Sequence, residues 1–232
     1  MCGRFTLRRS ARELAEHFAL DEVPELCPRY NIAPGQEVAA VRGTVSGGRE
    51  LVFLRWGLVP AWARDARRRR PLINARSESV HERPSFAPAF RARRCIVPAD
   101  GFFEWSGRSG AGPRAPFFVE VQGGALFGIA ALFEEARPQG ALPFASLVLL
   151  TTRANTALSC IHPRMPAILD SRDYGRWLAP GAGDGAALRA LLRPLADTAL
   201  RLRPVSARVN RPEHDDPACL APPPASAQPP LL

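Results

Sequence analysis

The chain predicts an α+β fold: a single domain with a mainly antiparallel, partly closed β-sheet or barrel core and helices at its periphery. Short apolar runs recur along most of the 232 residues, and glycine-rich turns divide them. Only a few stretches carry apolar residues at helical spacing. A composition of 46% hydrophobic and 23% charged residues suits one sizeable globular domain with its own core.

Residues 8–19 open the series as a helix, with Ser10 as its N-cap and Leu14, Ala15 and Phe18 on one face. Apolar runs at 38–42 and 51–59, separated by the turn from Gly43 to Gly48, read as a hairpin. Residues 61–71 form an arginine-dense loop or frayed helix, and short helices are expected at 75–82 and 85–92. Strands follow at Arg94–Pro98, Phe102–Trp105, Pro116–Val121, Ala125–Leu132 and Ser146–Thr152, with turns at Ser106–Gly112 and Gln122–Gly124. A helix near 154–160, a strand at Met165–Leu169, helices around 171–178 and 184–193 and a strand near 200–206 complete the pattern. The domain is expected to span residues 2–212. Residues 213–232, proline-rich over 221–230, read as a disordered tail.

The net charge of +9 is supplied by 31 arginines, with no lysine anywhere in the chain. Such an exchange is also what a GC-rich genome produces. A pI near 10.7 nevertheless favours a polyanionic partner, nucleic acid first, because guanidinium forks match phosphates. No stretch reaches the ~18 apolar residues of a membrane span, and the N-terminus lacks the apolar region of a secretory signal. The expected location is therefore cytoplasmic, nucleoid-associated when bound to DNA. Cys2, Cys27, Cys95, Cys160 and Cys219 are scattered, without CxxC spacing, so neither a disulfide framework nor a metal site is expected. Cys95 and Cys160 read as structural thiols, and a monomer is expected.

Met1 precedes the small residue Cys2, so aminopeptidase trimming leaves Cys2 at the N-terminus. Its α-amine is then the molecule's one primary amine, two carbons from a thiol. That pair captures an aldehyde as an imine and closes a thiazolidine; ordinary pKa values of about 8 and about 8.5 keep a useful fraction of each group reactive at neutral pH.

Six segments stand out: Met1-Cys2-Gly3-Arg4-Phe5; Arg29 to Gln36; Arg55 to Trp62; Ile73-Asn74-Ala75-Arg76-Ser77-Glu78; Cys95 to Trp105, which includes Gly101-Phe102-Phe103-Glu104; and Ile161-His162-Pro163-Arg164-Met165-Pro166. In this order the chain resembles the SRAP family, the SOS response-associated peptidase proteins that crosslink to abasic sites in DNA, from Cys2 to about Asn210. The resemblance implies that Cys2 is the crosslinking residue, that Asn74, Glu104 and His162 complete its site, and that Arg4, Arg76 and Arg164 hold the phosphates flanking a lesion. The implied partner is single-stranded DNA carrying abasic sites, with no cofactor.

Each assignment has its own chemistry. In a strand, Phe103 and Trp105 face one side while Phe102 and Glu104 share the other. A carboxyl beside a ring is expected to have a raised pKa, which suits the proton transfers of imine formation; the plainer role is pairing with an arginine. His162, held extended before Pro163, could protonate the sugar ring oxygen or serve as a loop histidine. The Asn74 amide is both donor and acceptor. Asn31 either lines the pocket or caps a turn. Trp62 and Trp105 are placed to stack on bases, Trp56 belongs in the core, and Arg67–Arg70 read as a landing strip for the DNA backbone or a solvated loop.

A second reading makes Cys2 the nucleophile of an N-terminal amidohydrolase or peptidase, its own amine acting as base. The Met-Cys-Gly start is similar to the class II glutamine amidotransferases, but the glutamine-binding Asn-Gly-Glu segment is absent. A noncovalent DNA-binding module leaves Cys2, Glu104 and His162 without a purpose. With no lysine, strand scission by β-elimination has to run through the Cys2 amine.

Overall fold

The computed structural model describes residues 2–60, 62, 71–107, 114–136, 143–181 and 184–224. In chain order it builds β1 (Phe5–Leu7), α1 (Ala11–Phe18), β2 (Arg29–Ile32), β3 (Glu37–Gly43), β4 (Arg49–Trp56), β5 (Asn74–Arg76), α2 (Ala87–Ala92), β6 (Arg94–Ala99) and β7 (Gly101–Ser106). Then come β8 (Ala115–Val121), β9 (Phe127–Ala136), β10 (Phe144–Arg153), α3 (Thr156–Ser159), β11 (Arg164–Pro166), β12 (Ile168–Leu169), α4 (Tyr174–Leu178), α5 (Gly185–Ala190) and β13 (Leu200–Pro204). The fold is α+β, as expected from the sequence.

Strands β10, β4, β3, β6 and β9 pair in that order, and β9 pairs back onto β10, closing a ring. The pairings are antiparallel except where β10 meets β4 and β5 in parallel. A second sheet runs β13-β8-β7-β1-β2. Phe5 of β1 and Trp56 of β4 meet between the two sheets as a tilted pair, with ring centroids 5.3 Å apart. Both are fully enclosed, and burying a side chain of this size contributes roughly 2 kcal/mol. Gly101 starts β7 because a Cβ there would lie 2.0 Å from the Phe118 ring.

Helix α1 forms through a capping box: Ser10 accepts from the Glu13 N–H while the Glu13 carboxylate accepts from the Ser10 N–H. Leu14 and Phe18 are its buried face. Strand β6 is buried along its whole length, with α4 packed beside it. There Arg94 spends its guanidinium on carbonyls at the ends of α2 and α4, including Phe90 at 2.9 Å and Trp177 at 2.8 Å.

Four expectations are corrected. Residues 74–76 are a strand rather than part of a helix, because they pair in parallel with Leu149–Thr151, and the Ser77 N–H continues the pairing to the Thr151 carbonyl at 2.9 Å. The strand expected at Met165–Leu169 splits into β11 and β12 at Ala167, whose N–H goes to Leu150 while its carbonyl accepts from Ala130. Strands β1 and β2 were not anticipated.

The fourth correction concerns the tail. Residues 213–224 are packed, with a 3-10 turn at Pro217–Leu220 and Cys219 fully buried beside Phe103, Phe118, Val205 and Val209. Asp215 accepts from the N–H groups of Tyr30 (2.5 Å) and Asn31 (2.8 Å) and from the Arg29 guanidinium, so it ties this segment to β2. Asp215→Ala leaves those N–H groups without their acceptor. It is expected to lower stability by about 2–3 kcal/mol, measured by chemical denaturation. Residues 225–232, with most of the proline-rich stretch, and residues 61 and 63–70, with Arg67–Arg70, lie outside the described residues.

Candidate active site

The site lies on the seam between the two sheets. Strand β1 pairs with β7 through Phe5↔Phe102, and the Phe103 N–H donates to the Arg4 carbonyl at 3.0 Å. Carried one step further, this antiparallel register sets Gly3 opposite Glu104, with Cys2 next in the chain and its thiol under the influence of the Glu104 charge. Asn74, on β5 of the barrel, donates its Nδ2 to the Cys2 carbonyl at 2.9 Å and so bridges the sheets. Trp56 steadies this neighbour, its Nε1 donating to the Ile73 carbonyl at 2.9 Å.

Alternation along β7 follows the expected pattern. Phe102 packs with Cys2 in the main core, while Phe103 and Trp105 belong to the smaller cluster around Val205 and Cys219. Glu104, 2% exposed, therefore lies on the Cys2 side. Burial pushes its carboxyl up to about 7, offset in part by the positive charge of the amino terminus. The Cys2 thiol is fully buried and its pKa is raised, by burial first and by the Glu104 charge second. Its Sγ donates weakly to the Arg4 carbonyl at 3.8 Å.

His162 sits in the turn before β11. Its Nδ1 lies 3.0 Å from the Arg164 backbone nitrogen and 3.1 Å from the Arg164 carbonyl oxygen, so either ring tautomer finds a partner there. Burial lowers its pKa, against the opposing effect of its bond to Arg164. The imidazole is thus mainly neutral at pH 7.

The arginines differ from one another. Arg4 is half-buried, its guanidinium carbon 6.0 Å from the Trp105 ring centroid. Burial lowers its pKa while Glu213 raises it, so the C-terminal segment reaches the site electrostatically. Arg76 is exposed and in no ion pair among the described residues. Arg164 is already forked onto Glu78 (2.6 and 2.9 Å) and also reaches the Thr151 hydroxyl (3.1 Å), so a phosphate there would have to displace Glu78. Sequence reasoning missed Glu78, whose only sign is its place two residues after Arg76.

Trp62 is 51% exposed, whereas Trp105 is partly buried with its Nε1 donating to Asn210 at 2.7 Å. Asn31, expected to line the pocket against DNA or to cap a turn, is instead an internal anchor: it is fully buried, and its Nδ2 donates to the carbonyls of Val209, Arg211 and His214 (3.2, 3.0 and 2.7 Å). No cluster of three or more metal-ligating side chains occurs among the described residues. No described helix is long and apolar enough to cross a membrane.

The fold is thus a barrel with a flanking sheet, and the chain's second residue is enclosed where the two meet. The family model for SOS response associated peptidase (SRAP) matches residues 1–212, and the chain belongs to that family. It is 36% identical over 220 residues to the abasic site processing protein YoqW of Bacillus subtilis, covering 94% of this chain and 97% of that one. It is 30% identical to the abasic site processing protein HMCES of Mus musculus, covering 84% of this chain and 65% of the mouse protein. Among solved structures, a Bacteroides thetaiotaomicron protein superposes with a TM-score of 0.82 at 22% identity, covering 95% of this chain and 99% of its own. A Bordetella bronchiseptica protein does so with a TM-score of 0.74 at 28% identity, covering 88% and 100%. The family match ends at residue 212, whereas the packed chain continues beyond Cys219.

Proposed function

We propose that this protein recognises abasic sites in single-stranded DNA and shields them through a covalent thiazolidine formed by Cys2 after Met1 is removed. The observation that carries the reading is Cys2 on the sheet seam, its carbonyl held by Asn74 and its thiol within the electrostatic reach of the buried Glu104. Family membership and the relatives named as abasic site processing proteins support it.

The order of steps follows from the two nucleophiles. The thiol, with its raised pKa, is protonated, so the α-amine attacks the aldehyde carbon of the opened sugar first. The carbinolamine loses its hydroxyl as water and leaves an imine. Sulfur then adds to the imine carbon, and the thiol proton ends on nitrogen. One water is released overall, and no oxidant or cofactor enters. A carboxyl with a pKa near 7 can accept the amine proton, deliver one to the departing hydroxyl and later relay the thiol proton. The His162 imidazole donates a hydrogen bond to the sugar oxygen as the ring opens. Arg4, Arg76 and Arg164 take the flanking phosphates, with Trp62 and Trp105 against neighbouring bases.

An abasic site offers no base to read, so selectivity rests on the aldehyde. The test is denaturing electrophoresis of the protein, with Met1 removal confirmed by intact mass, after incubation with a single strand carrying one abasic site and with the intact strand. A slow band on the abasic strand alone is expected. Its absence would turn the reading to amide substrates and N-terminal hydrolase chemistry.

A further inference from the structure

Strand register places more cationic side chains in line with the site than the flanking phosphates require. In β5 and β10, Asn74 pairs with Leu149 and Arg76 with Thr151; in β10 and β11, Arg153 pairs with Arg164. Directly paired residues, and residues two apart on one strand, project from the same side of a sheet. Asn74, Arg76, Thr151, Arg153 and Arg164 therefore share one face, and the Arg164 contact with the Thr151 hydroxyl agrees with this. The row starts beside Cys2 and leads away from it.

At its far end lies a solvent-open cleft of about 490 Å³, lined by Ser77, Glu78, Thr152, Arg153, Arg189 and Pro194 among others. Neither Arg153 nor Arg189 is in an ion pair among the described residues, and both are exposed. Arg189 turns one Nη to His81 at 2.9 Å, with no carboxylate partner. Glu78 is the one carboxylate of the lining, so Arg153 and Arg189 outnumber it even when Arg164 leaves its fork for a phosphate. The cleft thus keeps surplus positive charge. Its lining includes hydroxyls and no aromatic ring, which suits a phosphodiester backbone better than stacked bases.

We propose that the DNA strand continues from the Cys2 seam along this row into the cleft, where Arg153 and Arg189 hold phosphates on one side of the lesion. The proposal rests on the single-stranded DNA reading above. It makes Glu78 the carboxylate around which the backbone turns.

The probes are single strands with one abasic site, extended by about eight nucleotides on the 5′ side only, on the 3′ side only, or on neither. Binding of the R153E/R189E double variant to one of the two extended probes is expected to weaken by about tenfold or more, with the salt dependence shallower by about 1.4 for two lost phosphate contacts. Its affinity for the unextended probe should match the parent's, which also reports that the variant is folded. An equal loss on all three probes would reduce the two arginines to general charge, and no loss on any probe would remove them from the strand's path; either outcome overturns the proposal. If the single-strand abasic reading itself is wrong, the parent protein will form no adduct and will not prefer the lesion. Intact strands of the same lengths still test the cleft in that case.

Discussion

Cys2→Ala is expected to eliminate the heat-stable adduct with abasic single-stranded DNA while preserving noncovalent binding. Alanine is small enough to allow Met1 removal, so the variant still presents an α-amine at the seam. Asn74 bonds to the backbone carbonyl of residue 2, and that bond does not depend on the thiol. The amine can therefore still form an imine, but nothing closes the ring, and the imine hydrolyses during denaturation. Reduction with borohydride before denaturation should recover a crosslinked band from Cys2→Ala. The two gels separate the roles of amine and thiol. A heat-stable band from the unreduced variant would remove sulfur from the chemistry. No band even after reduction would show that residue 2 does not meet the aldehyde. The competing hydrolase reading makes a different forecast: loss of the thiol abolishes its reaction and no imine is trapped from either protein.

How far the sequence anticipates the molecule depends on the range of the interaction concerned. Helix α1 was legible because its N-cap Ser10 and its apolar face, ending at Phe18, are close together in the chain, and the β3–β4 hairpin because alternation and a glycine turn are local signals. Strands β6 to β10 were legible for the same reason. Strands β1 and β5 have only three residues each, and β5 is extended because β10 lies beside it in parallel. No local pattern encodes that neighbour. The tail was misread because proline-rich composition masks Asp215, whose bonds reach back to Tyr30 and Asn31, nearly the whole chain away.

The site shows the same division. Alternation along residues 102–105 sets Glu104 on the face opposite Phe103 and Trp105, and the structure puts it on the Cys2 side. The partners of the cationic groups were not legible. Arg164 finds Glu78 at a separation of 86 residues, and the alignment of Arg153 with Arg164 needs the β10–β11 register. Asn31 shows the converse error: a polar residue in a conspicuous motif whose amide anchors another part of the chain.

Glu104→Gln should separate catalysis from stability in opposite directions. The carboxyl has a folded-state pKa of about 7 against an ordinary 4.5, with burial the main cause. Between those pH values the folded protein holds a proton that the unfolded chain has released, so the Glu104 contribution to stability falls as pH rises through this window. Above pH 7 the folded state carries an enclosed carboxylate at a cost of about 3 kcal/mol for the full shift. Glutamine is nearly isosteric with the protonated acid and cannot ionise. The variant should match the parent in stability at pH 4 and exceed it by roughly 3 kcal/mol at pH 8, read from urea denaturation at the two pH values. Crosslinking should slow by about a hundredfold, because the amide can neither take the amine proton nor supply one to the departing hydroxyl. The parent's pH–rate profile should bend near pH 7, and the variant's should not. Noncovalent affinity for an intact strand should be unchanged, since Glu104 faces Cys2 rather than the arginine row. A variant that gained stability at pH 8 but crosslinked at the parental rate would show the carboxyl to be a buried charge with no part in proton transfer. A loss of affinity larger than the loss of rate would make it a support for the DNA-binding face.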